Sequence, residues 1–268
     1  MSIGQHEPEN PAGGNSSMAC ADACAAAGGA SAADTNQGGA QHGLRGRAGS
    51  RGVDGGAAHA PGAATRFVET SRGILSYLDL APLLADRVAD FEAGIAKNRY
   101  ADLPLDEYLV LALHRDIAAE LVPSIGGRWR LSNVQIGAYE PPPYHRVPEL
   151  MRAYALDLQA RLEGIETQDD ARLLETLAFA EGRLLGIHPF ADFNGRVTRL
   201  FLSELMRRLN LPAIDPTPDS GPATRQYLAA LAAADRNDLA PLKTIWGERF
   251  ELWFSDSLTT TSIPQELS

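Results

Sequence analysis

Two leucine-rich amphipathic stretches flank a short break that no helix can cross. The break reads His188-Pro189-Phe190-Ala191-Asp192-Phe193-Asn194-Gly195-Arg196 and runs on through Val197, Thr198 and Arg199. Before it, Leu173, Leu174, Leu177, Ala178, Leu184 and Leu185 recur at helical spacing. After it, from about Gly195 to Leu209, Val197, Phe201, Leu205 and Leu209 fall on one face. Pro189 disfavours helical backbone at His188 and pushes it toward extended geometry, so the first helix ends there. The second starts near Asn194. The pattern commits the chain to a helical architecture with its polar chemistry gathered at a helix–helix junction.

That junction can serve an anion beside a proton acceptor. His188 offers an imidazole, the side chain suited to taking a hydroxyl proton at physiological pH. Asp192 is a hard oxygen ligand of the kind Mg²⁺ uses alongside substrate phosphates. Asn194 and Gly195 tolerate unusual backbone angles and let a ligand approach the main chain. A helix starting near Asn194 aims free N–H groups and its positive dipole end at an anion. Arg196 and Arg199, three apart, share a face near that end, where guanidinium groups fork onto phosphate oxygens. Phe190, apolar in a polar turn, reads as an anchor to the core. Taken singly, each has a structural reading: a capping histidine, an N-cap aspartate, a solvated arginine pair, an Asn-Gly turn. Their conjunction in one string carries the functional reading.

The string resembles the signature of the Fic (Fido) family: His, any residue, Phe, any residue, Asp or Glu, Gly or Ala, Asn, Gly or Lys, Arg, two of any kind, Arg. Every defined position matches except Phe193, where the family usually has Gly or Ala. The resemblance implies an enzyme that moves the AMP of ATP onto a Ser, Thr or Tyr hydroxyl of a target protein, with ATP as co-substrate and Mg²⁺ as cofactor. His188 would be the general base and Asp192 the metal ligand. Asp192, Phe193, Asn194, Gly195, Arg196 and Arg199 would line the nucleotide site. The ring of Phe193 would narrow the cradle, which leaves alternatives open. One keeps the fold and transfers phosphate or another nucleotide monophosphate, or removes AMP. The other is an inert interaction module with the cradle blocked.

Helical patterning begins at about Phe67, through Leu75, Leu78, Leu80, Leu83, Leu84, Val88 and Phe91. A helix over Pro104–Leu121 carries Tyr108, Leu109, Leu111, Ala112, Leu113 and Ile117 on a broad apolar face. Pro148 suits a first helical turn, followed by Leu150, Tyr154, Leu158 and Leu162. Thr167 with Asp170 reads as an N-terminal cap. Further helices are predicted near Ala223–Ala234 and Leu239–Phe254. Residues Arg128–Pro143 alternate and end in prolines, a pattern that fits a short β-hairpin or extended flap and equally an ordinary interhelical loop. The resemblance implies that such a flap covers the site and pairs with the target's backbone. The expected fold is all-α: a Fido-type helical bundle with a small β-hairpin flap, spanning residues 65–258, with a C-terminal tail at 259–268.

Residues 1–64 are rich in Gly, Ala, Ser, Asn and Gln and cannot bury enough apolar surface to offset chain entropy, so they read as a disordered arm. Cys20 and Cys24 fall in it, which argues against a disulfide framework and against a metal site built on two ligands without a neighbouring partner, and His42 and His59 read as solvated tail residues. The opening Met1-Ser2-Ile3-Gly4-Gln5 lacks the basic region and apolar run of a secretory signal, and no stretch reaches the ~18 apolar residues of a membrane span. A net charge of -10 argues against nucleic-acid binding. These features predict a soluble cytoplasmic protein with no nucleic-acid or membrane partner. Many Fic proteins also carry an inhibitory string: Ser or Thr, three residues, Glu, then Gly or Asn. Its glutamate pairs with the second motif arginine, here Arg199. Glu163-Gly164, Glu181-Gly182 and Glu9-Asn10 are preceded at the required spacing by Gln159, Leu177 and Gln5, so none qualifies. The expectation is a separate antitoxin-like inhibitor or no such brake.

Overall fold

The computed structural model describes residues 67–260, apart from 138, 166–168 and 219–220, and the side chains of 259 and 260. The expected N-terminal arm, Thr167 and most of the C-terminal tail lie outside the described residues. The elements are β1 (Phe67–Thr70), β2 (Gly73–Ser76), α1 (Tyr77–Ala96), α2 (Glu107–Ala118), α3 (Val147–Glu163), α4 (Asp170–Ile187), α5 (Asn194–Arg208), α6 (Pro222–Ala234) and α7 (Ala240–Thr260). The fold is the expected all-α bundle with a small antiparallel sheet.

The first ten described residues correct the sequence reading. They form a hairpin, with Phe67 opposite Ser76 and Thr70 opposite Gly73, rather than the start of a helix. Local chemistry decides this. Thr70 Oγ1 donates to the Gly73 carbonyl at 2.6 Å and accepts from the Arg72 N–H at 3.1 Å, closing the turn. Gly73 takes a φ of 97°, open to glycine at little cost. The helix waits for Ser76, whose hydroxyl accepts the Asp79 N–H at 3.1 Å as its N-cap.

α2 starts at its own cap, Asp106, whose carboxylate accepts the N–H groups of Tyr108 and Leu109 at 2.8 and 3.2 Å. Tyr108 is exposed rather than on the buried face, which includes Leu109, Val110, Ala112, Leu113, His114, Ile117 and Ala118. Pro148 sits in the first turn of α3. α4 is capped by Asp169, which accepts the Arg172 N–H at 3.0 Å.

α4 is the centre of the bundle. It packs against α3, α5, α6 and α7, while α5 also meets α1 and α2. From Thr176 to Ile187 every residue but Arg183 is buried. Phe201 and Leu205 of α5 and Trp246 of α7 are buried with it. A helix apolar nearly all round is stable only in such a central position. Its C-terminal end is therefore a rigid platform. Among the described residues no helix is long and apolar enough to cross a membrane.

The segment 128–143 takes the extended form among those anticipated. Among its described residues the pairing is one antiparallel bridge, Ile136 with Tyr139, whose two main-chain hydrogen bonds are each 2.9 Å. The flap is held at Tyr139, whose hydroxyl reaches the Gly186 carbonyl at 2.8 Å and the Asp235 carboxylate at 3.3 Å.

Candidate active site

The site occupies the passage from α4 to α5. His188 closes α4 through its N–H to the Leu184 carbonyl at 3.2 Å. Its backbone is left-handed, with φ 51° and ψ 61°, and not extended as Pro189 alone dictates. A left-handed residue is the common way to end a helix, and that requirement prevails here. The imidazole is buried, with the residue 2% exposed.

The loop that follows is shaped by its own side chains. Asn194 grips Phe190 from both sides of the peptide: Oδ1 accepts the Phe190 N–H and Nδ2 donates to the Phe190 carbonyl, each at 2.9 Å. Asn194 thus acts on the loop's shape. Its side-chain bonds go to the main chain of Phe190. Asp192 is buried, and its Oδ1 accepts the Phe193 N–H at 2.8 Å. Phe193 is the second left-handed residue, with φ 66°, and stands at the N-cap of α5. For a bulky side chain this conformation is strained by about 1–2 kcal/mol. It is held because the ring is buried, 3% exposed, beside His114 and Arg196.

The loop rests on two residues from elsewhere in the chain. Phe190 stacks on the His114 ring of α2, centroids 3.7 Å apart and planes 4° from parallel. His114 Nδ1 accepts the Gly127 N–H at 3.0 Å, so Nε2 carries the ring proton and faces the Asp192 carbonyl at 3.3 Å. Burial lowers the His114 pKa to about 4, against a small opposing effect of the Asp192 carbonyl. Because the folded value lies below the unfolded one, the unfolded chain binds more protons between about pH 4 and 6.5, and stability falls as the pH is lowered through that window. His114→Gln is expected to flatten the decline of melting temperature over this range. Parallel wild-type and variant profiles would show that His114 does not titrate on unfolding. The second support is Arg130, whose Nε donates to the His188 carbonyl at 2.9 Å.

The first turn of α5 leaves its leading N–H groups without partners inside the helix, beside buried Gly195. The two arginines go separate ways. Arg196 is buried and donates to the Tyr77 hydroxyl at 2.9 Å, its guanidinium between the rings of Tyr77 and Phe193 at 5.8 and 5.9 Å. Arg199 lines a cavity of about 340 Å³ with Glu92, Ile95, Ser203, Arg207 and Asp215. Burial disfavours its charged form, Asp215 opposes that, nearby Arg196 adds to it, and Glu92 opposes it more weakly. Burial and Asp215 in turn raise the Glu92 carboxyl. The inhibitory string is absent, yet α1 sets a glutamate in the wall of the cavity that Arg199 lines.

Sequence reasoning missed Tyr77, His114, Arg130, Glu92 and Asp215 as parts of this neighbourhood. His114 had left a signal: a histidine on the face of α2 that buries Leu113 and Ile117.

Residues 104–206, which hold the loop, α4, nearly all of α5 and the flap, match the Fic/DOC family model. The chain is similar to the protein adenylyltransferase Fic of Drosophila grimshawi, 28% identical over 159 residues, which cover 59% of this chain and 31% of that protein. The counterpart from Drosophila mojavensis is equally similar, at 28% over 159 residues, covering 59% of this chain and 30% of that protein. The chain thus spans under a third of the length of these relatives. Among solved structures, the N-terminal FIC domain of Bep8 from Bartonella sp. 1-1C superposes with a TM-score of 0.53 at 13% identity, covering 71% of this chain and 92% of that one. BepC from Bartonella tribocorum, solved with bound AMPPNP, superposes with a TM-score of 0.52 at 16% identity, covering 69% and 92%. These two likenesses concern the fold.

Proposed function

We propose that this chain transfers AMP from Mg-ATP to a Ser, Thr or Tyr hydroxyl of a target protein, forming the bond from that oxygen to the α-phosphorus and breaking the α–β phosphoanhydride to release pyrophosphate. The observation that carries the reading is the junction itself. A buried histidine at the end of α4 faces a clamped loop whose next residues open a helix and bring two arginines. The relatives named as adenylyltransferases support it. His188 accepts the target hydroxyl's proton, and the N–H groups of the first turn of α5 take up phosphate charge. Arg199, and Arg196 once drawn from Tyr77, grip the nucleotide phosphates. Such transfer needs mainly positioning and charge neutralisation.

Asp192 is the residue that would hold a Mg²⁺ ion. A lone buried carboxylate at the loop fits an ion that draws its remaining ligands from water and substrate phosphates, and no cluster of three acidic, histidine or cysteine side chains occurs among the described residues. When bound, such an ion offsets phosphate charge. An extended target segment pairs with the legs of the flap on either side of the Ile136–Tyr139 bridge. The acidic composition suits a cytoplasmic protein, and an antitoxin-like inhibitor would act by occupying the Arg199 cavity. Phe193 has its ring among His114 and Arg196 rather than among the residues lining the Arg199 cavity, which favours turnover over a blocked module.

The test is incubation of the purified chain with a lysate and ATP labelled on either the α- or the γ-phosphate. Protein label from the α-position alone, with a mass gain equal to AMP, is expected. Label from the γ-position alone would mean phosphate transfer, and no label from either would overturn the proposal.

A further inference from the structure

Arg130 is a buried cation whose side-chain partners are all main-chain carbonyls. The residue is 2% exposed. Nε donates to the His188 carbonyl at 2.9 Å, Nη1 to the Ser132 carbonyl at 3.0 Å, and Nη2 to the Pro142 carbonyl. Its own N–H donates to the Pro189 carbonyl at 2.9 Å. Taking a charge out of water is costly unless its donors are satisfied. A planar guanidinium can satisfy three carbonyls arriving from different directions, and a lysine ammonium cannot reproduce that fork.

The three carbonyls matter by where they come from. Ser132 and Pro142 stand on the two legs of the flap, on either side of the Ile136–Tyr139 bridge. His188 and Pro189 are the junction of α4 with the loop, where a left-handed residue precedes a proline. Strained backbone of that kind persists only where its surroundings over-determine it. Arg130 makes two of the contacts that do so.

We propose that Arg130 is a positioning residue that couples the flap to His188. Its guanidinium ties both flap legs to the carbonyl of His188, so a target segment settling on the flap fixes the orientation of the imidazole. This rests on the reading of His188 as proton acceptor. Removal of the fork leaves the nucleotide site in place and loosens the base against the hydroxyl.

The experiment uses the full chain with Arg130→Lys and Arg130→Ala, comparing kcat for AMP transfer, ATP affinity by calorimetry, and amide exchange at 132–136 and 188. Arg130→Lys is expected to lower kcat by roughly 100-fold, the cost of a misplacement of about 1 Å, with ATP affinity kept within about threefold. Exchange at Ser132–Ile136 and at His188 rises together in both variants. Millimolar methylguanidinium restores part of the activity of Arg130→Ala, which a general loss of folding would not allow. The proposal is overturned if Arg130→Lys keeps kcat within about twofold of wild type, if kcat and ATP affinity fall in parallel, or if methylguanidinium restores nothing. Should wild type transfer no group at all, the functional reading fails. Amide exchange then decides the coupling alone, and unchanged exchange at 188 in Arg130→Lys overturns it.

Discussion

His188→Asn is expected to abolish group transfer, with a fall of roughly 10²–10⁴-fold, the range that a positioned proton acceptor supplies. Asparagine is the informative replacement because it also occupies left-handed backbone, so the loop keeps its shape while the base is lost. His188→Ala removes the base as well but adds strain at φ 51°. ATP affinity should be little changed in His188→Asn, since the proposed mechanism has the imidazole act on the acceptor hydroxyl and α5 hold the phosphates. Calorimetry and labelled-ATP transfer measured on the same preparation separate the two quantities. Transfer by His188→Asn at wild-type rate would assign the base to another residue. An equal loss of binding and transfer would move His188 into the nucleotide site.

Arg249→Met is expected to produce the largest loss of stability. Glu181 of α4 is enclosed, its side chain 2% exposed, and its carboxylate accepts from Arg249 Nη1 at 2.9 Å and from the Tyr227 hydroxyl at 2.7 Å. The guanidinium also lies over the Trp246 ring at 4.6 Å and reaches the Pro216 carbonyl. Removing one partner of a buried ion pair leaves the other charge uncompensated, which costs about 3–5 kcal/mol. In a domain of this size that is a drop in melting temperature on the order of 10 °C. Glu181→Gln in the same chain removes the orphaned charge and should recover much of the loss. If the single variant melts within about 2 °C of wild type, the pair is not a pillar of the bundle. The same network holds Pro216, whose neighbour Asp215 faces Arg199, so the variant should also weaken ATP binding.

The parts of this architecture legible in the sequence are those carried by periodicity and local chemistry. The spacing of Leu173 to Leu185 and of Val197 to Leu209 predicted α4 and α5 within a residue or two of their ends, and Pro148 marked the start of α3. The loop residues were legible as a string because their chemistry is concentrated in consecutive positions. What escaped was either too local or too distant. The hairpin at 67–76 turns on one threonine hydroxyl and one glycine φ, which a search for apolar spacing passes over. The left-handed backbone of His188 arises from competition between helix termination and proline, which neighbour rules decide the other way. Tyr77, Glu92, His114 and Arg130 stand 58 to 119 residues before the residues they face, at sequence separations that no pattern within a window can join. The separate surroundings of Arg196 and Arg199 follow from α1, which supplies both Tyr77 and Glu92.

The partners of Arg130 set the conditions under which the link between flap and loop holds. A tie made between a guanidinium and carboxylates comes apart when the acid protonates and loosens when salt rises. Main-chain carbonyls carry no titratable proton, and the guanidinium remains charged across the range in which proteins fold. Because the contact is enclosed, mobile ions have little access to it. Acidity can therefore change the charge of the Arg199 cavity, through Glu92, without loosening the grip on His188. The molecule separates a part that can respond to its surroundings from one that stays constant.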